Sequence, residues 1–237
     1  GGEPDAKLQC PARPSPASDF SAARDRLRSS KDLSRCLLLC NGPSLNEMSW
    51  DWVETFPGLV LATNKFYIGM ERFGNIRPDA YVVVNGLVAE QSWREIQALP
   101  EGTELFVGHK IANSFDCAPG SHPTAPHVFK QLNTRQPPCR FCKDPSSAVN
   151  LGWTVTYASL QILFWVGCEE VVVVGMDHYF VQSGEAGDAQ RMGKVDPNHF
   201  DGSYFANQTW QLAGLERSED SYRVAEREYR RAGRRII

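Results

Sequence analysis

Continuous apolar runs alternate with stretches of helical period along this chain. Five apolar runs have the length of strands: residues 35–40, 58–64, 80–85, 104–108 and 169–177. Four stretches have a helical pattern: residues 44–56, 89–99, 152–167 and 218–233. Strands that are apolar on both sides are typical of a parallel sheet covered on both faces. The alternation implies right-handed crossovers. We therefore predict an α/β fold, a Rossmann-like mostly parallel sheet with helices on both faces.

Two kinds of segment interrupt this rhythm. Residues 1–30 are rich in Pro, Ala, Ser and charge, so we expect an N-terminal tail or linker that ends in a short helix. Residues 31–237 then form a single Rossmann-like domain. Within it, residues 109–150 and 180–207 lack clear periodicity, and segments of this length in compact domains are usually lids or binding loops. We predict an insertion at 109–150 and a lid at 180–207.

Composition excludes several classes of protein. Net charge is −3 and 22% of the 237 residues are charged, so we expect no nucleic-acid partner. The longest apolar stretch, residues 158–166, contains Gln161 and is too short to cross a bilayer. We expect a cytoplasmic protein with at most peripheral membrane contact, or a protein of the Golgi lumen if an anchor precedes residue 1.

The seven cysteines indicate no metal site. Cys36, Cys40 and Cys168 lie in or beside apolar runs, where a free thiol behaves as a small apolar side chain. Cys139 and Cys142 form a single C-x-x-C motif, whereas a structural zinc site normally needs four ligands. The motif is more typical of loop cysteines or a local disulfide.

A tight turn, "NGPS" at residues 41–44, follows the first predicted strand. In open α/β sheets, ligands bind beyond the carboxyl ends of the strands. Ser44 and Glu47 fit the S-x-x-E capping box of a helix, whose exposed amides attract phosphate. The alternative is that the turn only redirects the chain. No lysine completes a phosphate-binding Walker loop and no G-x-G-x-x-G motif is present, so an NAD enzyme is not predicted.

Polar residues also end the other predicted strands. Asn64 and Asn85 follow the second and third strands, and Asp177, His178 and Tyr179 end the last long one. Neutral amides both donate and accept hydrogen bonds, which suits sugar hydroxyls and the edge of a nucleobase. We predict that these residues meet in one crevice.

The segments "LCNGPSLNEM", "ATNKFYI" and "VGCEEVVVVGMDHYF", with the asparagine after strand three, resemble a known family. They are similar to the bacterial lipooligosaccharide sialyltransferases of glycosyltransferase family 42, and to a wider group that includes nonulosonic acid transferases of flagellin modification. The resemblance extends from about residue 35 to 179, and more loosely to 199. It implies a GT-A variant fold, a lid over a CMP-sugar donor, and inversion without a metal.

The resemblance also implies roles for residues that hold the donor. Asn41 and Ser44, with Gly42 in the same turn, would contact its nucleotide and phosphate. Asn64 and Asn85 would bind the donor sugar or the cytidine.

A hydroxyl at the start of the long helix would touch the sugar carboxylate or the phosphate. Thr154 is the nearest residue for this, with Thr156 as the alternative. Tyr179 would hydrogen-bond the leaving phosphate, and His199 would act as general base. The family has a second phosphate-binding tyrosine that this chain lacks at the matching place, and Tyr204 is the expected substitute.

The residues suggest similar group-transfer chemistry even when the family resemblance is set aside. Histidine is the usual proton acceptor near neutral pH. His199 lies in "DPNHF", where Asp196 or Asp201 is expected to orient it, and His178 is the rival base. No D-x-D motif for a metal-bound diphosphate occurs in the chain. A metal held by Asp177, His178, Asp196 and His199 is the weaker alternative.

Six arginines lie in and directly after the last predicted helix, whose expected cap is Ser218 and which precedes a short strand, "RRII". We expect a solvated face of paired charges, with a membrane-surface patch as the alternative.

The combined prediction is a metal-independent inverting glycosyltransferase. It would move sialic acid or a related sugar from a CMP-activated donor to a glycan or glycolipid, with no cofactor. The alternatives are an ATP- and Mg²⁺-dependent enzyme like the pterin pyrophosphokinases, or a non-catalytic nucleotide-sugar-binding module.

Overall fold

The computed structural model describes residues 19–115, 126–132 and 140–237. Its eleven strands run in chain order as follows: β1 Asp32–Leu39, β2 Gly58–Thr63, β3 Ala80–Val83, β4 Glu104–Gly108, β5 His127–Phe129, β6 Gln131–Leu132, β7 Val149–Asn150, β8 Glu170–Val174, β9 Ala189–Arg191, β10 Thr209–Gln211 and β11 Arg235–Ile236. Its four α-helices are α1 Phe20–Ser30, α2 Gly86–Gln97, α3 Val155–Val166 and α4 Leu215–Arg231.

Seven of these strands form a central sheet in the order β11-β8-β1-β2-β3-β4-β5. Every neighbouring pair in it is parallel. Apolar side chains of β1 alternate between the two faces, with Leu38 in one core and Leu37 and Leu39 in the other. Helices α1, α3 and α4 cover the first face, and α2 covers the second together with residues 200–212. The predicted α/β Rossmann-like fold is confirmed.

Helix α3 is buried around almost its whole circumference. Thr154 caps its start by accepting a hydrogen bond from the amide of Thr156, and Gly167 ends it with a left-handed φ of 117°. That conformation is accessible to glycine and rarely to other residues.

Among the described residues no helix combines the length and apolarity needed to cross a membrane.

The helix predicted at residues 44–56 is wrong. Two short 3₁₀ turns, Pro43–Glu47 and Val53–Thr55, replace it. The indole of Trp50 donates to the carbonyl of Leu45, and that of Trp52 donates to the carbonyl of Ser49. Met48, with a φ of −91° and a ψ of 145°, is extended and ends the first turn, so no continuous α-helix forms.

The capping roles predicted for two serines are also wrong. Ser44 makes no cap hydrogen bond in the first 3₁₀ turn. Helix α4 begins before Ser218, with Gly214 at its N-cap, and the Ser218 hydroxyl donates to the Gly214 carbonyl. The predicted final strand is confirmed, since β11 pairs with β8.

Two of the cysteines expected to be free apolar side chains are instead bonded to each other. Cys36 of β1 and Cys168, just before β8, form a disulfide between neighbouring strands, with a Cα–Cα distance of 6.0 Å. Both are fully buried. Cys40 is a buried thiol, as predicted, and burial raises its pKa to about 12. Cys139 lies outside the described residues.

Candidate functional site

A cleft of about 1000 Å³ opens at the carboxyl ends of the central strands. Its walls are the ends of β1, β2, β3 and β8, the starts of α3 and α4, and the segment between β8 and α4. Ten predicted site residues line it: Asn41, Gly42, Asn64, Asn85, Thr154, Asp177, His178, Tyr179, His199 and Tyr204. The fold therefore brings the strand ends together with residues of the segment 180–207, which was predicted to be a lid.

His199 lines this cleft and forms a hydrogen bond with Asp196, a buried residue that is not itself part of the lining. Nδ1 of His199 lies 2.8 Å from Oδ2 of Asp196. The buried carboxylate also accepts hydrogen bonds from the amides of Asn198 at 2.8 Å and Phe205 at 3.2 Å. A carboxylate at Nδ1 holds neutral imidazole in the tautomer whose Nε2 carries no proton. Nε2 is then the atom that can take a proton from a ligand.

Asp201, the other expected partner of His199, is engaged elsewhere. It accepts hydrogen bonds from the amide and hydroxyl of Ser203, and it lies 3.6 Å from the guanidinium of Arg72. The hydrogen bonds from Ser203 hold the pKa of Asp201 below its usual range, with burial acting against them. Of the two acids proposed from the sequence, only Asp196 orients His199.

Tyr204 lies flat against His199. The two ring centroids are 4.0 Å apart and the planes differ by 3°. The Tyr204 hydroxyl is buried and accepts a hydrogen bond from the backbone amide of Lys65 at 3.1 Å. Burial raises the pKa of this phenol. Tyr204 is thus the surface on which His199 rests, and its hydroxyl faces Lys65.

Lys65 is a buried cation that joins three parts of the chain. Its Nζ donates to Oε1 of Gln91 at 3.0 Å, to the carbonyl of Tyr204 at 2.9 Å and to Oε1 of Gln208 at 2.6 Å. It also lies 4.4 Å from the ring centroid of Phe205. An ammonium has three N–H donors, and all three are used here. Lys65 therefore ties the end of β2 and helix α2 to the segment that carries His199.

Asn41 and Asn64 present side-chain oxygens that have no hydrogen-bond partner among the described residues, although both atoms are buried. The Thr63 hydroxyl donates to the carbonyl of Leu39, so it must accept from Asn41 Nδ2, which lies 2.9 Å away. This fixes the amide orientation and leaves Oδ1 of Asn41 as a free acceptor. Asn64 holds a left-handed φ of 51° at the end of β2. Buried acceptors without partners are costly, so a ligand with N–H or O–H donors would fit them.

The turn after β1 requires glycine. A Cβ at Gly42 would lie 2.5 Å from Oδ2 of Asp177 and 2.7 Å from the carbonyl of Gly175. Asp177 Oδ2 accepts from the amide of Ser44 at 2.9 Å, and the Ser44 hydroxyl donates to the other oxygen. The hydrogen bonds between Ser44 and Asp177 therefore stabilise the turn. Ser44 is not among the residues that line the cleft.

Asn85 and Thr154 serve as helix caps. Asn85 Oδ1 accepts from two amides in the first turn of α2, and its Nδ2 donates to Gln211 at 3.0 Å. Thr154 Oγ1 accepts from the amide of Thr156 at 3.2 Å and from the hydroxyl of Tyr222 at 3.3 Å. Burial raises the pKa of Tyr222 to about 12. Both residues were predicted to bind ligand, and both line the cleft. They also stabilise the starts of α2 and α3.

His178 and Tyr179 lie at the mouth of the cleft. The Tyr179 side chain is exposed, at 70%. His178 has a left-handed φ of 52°, and its ring meets the edge of Tyr222 at 5.8 Å. The carboxylate that a general base needs for orientation is present at His199, so the geometry favours His199 over His178.

Within the described ranges, no group of three or more His, Cys, Asp or Glu side chains is placed to hold a metal ion. The four-residue metal site considered from the sequence is therefore not assembled there. The arginines of α4 largely pair with acids: Arg223 with Glu219 and Asp220, Arg230 with Glu226, and Arg231 with Glu228. This agrees with a solvated face of paired charges.

At or beneath the cleft lie further residues for which the sequence predicted no role, and among them Lys65, Trp153 and Arg217 make notable contacts. Lys65 directly follows Asn64 and Trp153 directly precedes Thr154, so both adjoin predicted site residues. This position beside predicted site residues was the only feature of the sequence that could have identified Lys65 and Trp153. A lysine after a strand is usually exposed, and only the packed segment above it makes Lys65 a buried contact.

Comparisons with known protein families, with characterised proteins and with solved structures each find no match to this chain. The function must therefore be inferred from the geometry of the cleft. The resemblance to glycosyltransferase family 42 stays a prediction.

Proposed function

We propose that this chain is an inverting glycosyltransferase. In this proposal it moves sialic acid or a related sugar from a CMP-activated donor to a hydroxyl of a glycan or glycolipid, without a metal. The observation that carries the proposal is the His199–Asp196 pair, which shares a cleft with the unpartnered oxygens of Asn41 and Asn64. A proton acceptor beside polar groups that lack partners is the arrangement that group transfer to an alcohol needs.

The proposed reaction has one displacement step. The acceptor hydroxyl loses its proton to Nε2 of His199 while its oxygen bonds to the anomeric carbon of the donor sugar. The bond from that carbon to the phosphate oxygen breaks, and the electron pair leaves with CMP. Attack from the face opposite the phosphate inverts the anomeric centre. Asp196 keeps the protonated imidazole in place, as a carboxylate does beside a catalytic histidine.

The other cleft residues supply binding in this proposal. Oδ1 of Asn41 and Oδ1 of Asn64 accept hydrogen bonds from the donor, whose cytosine amino group and sugar hydroxyls are the available donors. Tyr179 donates to the leaving phosphate, where charge develops. The start of α3 at Thr154 lines the cleft and favours negative charge there, because the N-terminus of a helix carries a partial positive charge.

The proposal also includes the cellular compartment in which the protein works. We infer an oxidising compartment, such as the Golgi lumen, because a buried disulfide joins Cys36 to Cys168. This choice favours the second of the two locations expected from the sequence.

A thermal-shift screen tests the proposed donor. CMP in the presence of EDTA should raise Tm, because a ligand that binds only the folded chain stabilises it by about 2.7 kcal/mol at 100 times its Kd. For a domain of this size that corresponds to roughly 5–10 °C. Stabilisation by ATP with Mg²⁺ or by NAD, without any from cytidine nucleotides, would contradict the proposal. If CMP does raise Tm, an assay of sialic acid transfer from CMP-sialic acid to lactose distinguishes an enzyme from a non-catalytic binding module.

A further inference from the structure

A guanidinium held flat on an indole ring forms one lip of the cleft. Arg217 lies in the first turn of α4, and its Cζ is 4.1 Å from the ring centroid of Trp153. Both side chains line the cleft. A guanidinium stacked on indole is restrained in orientation, while its N–H edge remains able to donate to a planar oxyanion.

Trp153 has a backbone conformation that few residues of its size adopt. Its φ is 67°, and Gly152 before it also has a positive φ of 52°. Such strain in a bulky residue persists only where the surrounding fold enforces it, and it clusters at binding sites. The indole packs closely against the chain, since a Cβ at Gly214 would lie 3.2 Å from the ring and one at Gly187 would lie 3.5 Å away. The strained turn therefore aims the indole at the start of α4.

Arg217 and Arg227 are the two arginines of α4 that form no ion pair with a described carboxylate, and of these two only Arg217 lines the cleft. Arg223, Arg230 and Arg231 form ion pairs with acids of α4. Within the described part of the chain, no carboxylate lies within 4.0 Å of the Arg217 guanidinium. Its hydrogen-bond donors are thus available to a group that enters the cleft.

We propose that Trp153 and Arg217 form an anion-binding subsite that takes a carboxylate or phosphate group of the sugar acceptor. The assignment to the acceptor rests on the proposed function. Arg217 is exposed at the rim, where a molecule entering from solvent first meets the cleft, whereas the unpartnered oxygens of Asn41 and Asn64 are buried. A bidentate contact of guanidinium with an oxyanion gives both charge and geometric selectivity.

Calorimetric binding to four probes tests this subsite. The probes are CMP, lactose, 3′-sialyllactose with one carboxylate, and galactose 6-phosphate. Arg217→Gln should weaken binding of the two charged sugars by roughly 10- to 100-fold, the range for loss of a charge-assisted hydrogen bond. Binding of CMP and lactose should not change. The matched control is Arg227→Gln, which removes an exposed charge from the same helix at a position outside the cleft lining.

Two further variants separate charge from geometry. Arg217→Lys keeps the charge but loses the planar fork, so charged sugars should bind it more weakly than the parent. Trp153→Leu removes the stacking surface and should reproduce the loss seen in Arg217→Gln, with Tm reporting whether the variant folds.

The opposing outcomes are distinct. Charged sugars that bind Arg217→Gln as they bind the parent, or that fail to bind the parent, would overturn the subsite. A loss confined to CMP would move Arg217 to the donor and overturn its assignment to the acceptor. If charged sugars bind through Arg217 but no cytidine nucleotide binds, the subsite stands as an anion site and the proposed donor fails.

Discussion

Nδ1 of His199 lies 2.8 Å from Oδ2 of Asp196, and the carboxylate side chain has no solvent exposure. The imidazole is also stacked on Tyr204, so both its tautomer and its plane are restrained. This arrangement makes Nε2 the basic atom of the ring. The first two predictions depend on it.

Replacement of His199 by alanine should reduce transfer by roughly 10²- to 10⁴-fold, the range for loss of a general base. Donor affinity should change little, because the unpartnered oxygens of Asn41 and Asn64 remain. A protonated imidazole cannot accept a proton, so the rate of the parent should fall at acid pH. The mutant should lack that acid limb in a profile of kcat/KM against pH.

His178→Ala is the comparison for this prediction. If it abolishes the acid limb while His199→Ala retains it, then His178 is the base and the assignment to His199 is wrong.

Asp196→Asn should impair the reaction by about 10²-fold or more, since it places an amide N–H donor opposite Nδ1 and favours the tautomer whose Nε2 is protonated. The side chain keeps its shape, and its oxygen can still accept from the backbone amide of Asn198, whereas the amide of Phe205 loses its acceptor. Nitrogen NMR of labelled histidine would report the tautomer directly. A mutant with the parental tautomer and a parental rate would show that Asp196 has only a structural role.

Tyr179→Phe removes one hydroxyl from a side chain that is 70% exposed. The fold should be unaffected, so Tm should match that of the parent. Turnover should fall on the order of 10²-fold if the hydroxyl meets charge on the leaving phosphate. An unchanged kcat would remove Tyr179 from the mechanism.

Lys65 should make the stability of the fold depend on pH. Burial lowers its pKa to about 8, with the carboxylates of Glu95 and Asp196 acting against burial. The unfolded value is about 10.4, so the unfolded chain binds more protons between these values. The contribution of Lys65 to the free energy of unfolding should therefore rise as pH increases from about 8 to about 10.

Urea unfolding of the parent and of Lys65→Met across pH 7–10 measures this contribution. The parental free energy of unfolding should increase relative to that of the mutant as the pH rises. Lys143→Met, which removes an ammonium whose side chain is 58% exposed, is the matched control. A difference between parent and Lys65→Met that is constant or falls with pH would contradict the prediction.

The Cys36–Cys168 disulfide should stabilise the fold, because it joins residues 132 positions apart and restricts the unfolded chain. Replacement of both cysteines by alanine should cost about 2–4 kcal/mol. For a chain of this length, Tm should fall by roughly 4–16 °C. Calorimetry of the two proteins, with mass spectrometry to establish the bond in the parent, checks this. Equal Tm values would show that the bond contributes nothing to stability.

The apolar runs predicted most of the sheet because their information is local. "ELFVG" became β4 with the expected bounds, and the final "RRII" pairs beside β8. The crevice residues followed from one topological rule, since parallel strands end at the same edge. Residues 44–56 were mistaken for a helix because the pattern of apolar positions does not show that the backbone becomes extended at Met48.

The sequence by itself determined that polar residues at strand ends, from Asn41 to Tyr179, belong to one edge of a parallel sheet. Only the tertiary structure decided that Asp196 rather than Asp201 holds His199, and that Lys65 lies buried beneath Tyr204. It also decided that Cys36 bonds to Cys168. Periodicity reports which face of an element is buried. Which side chains meet depends on how distant segments pack, and that packing is specified by the whole core.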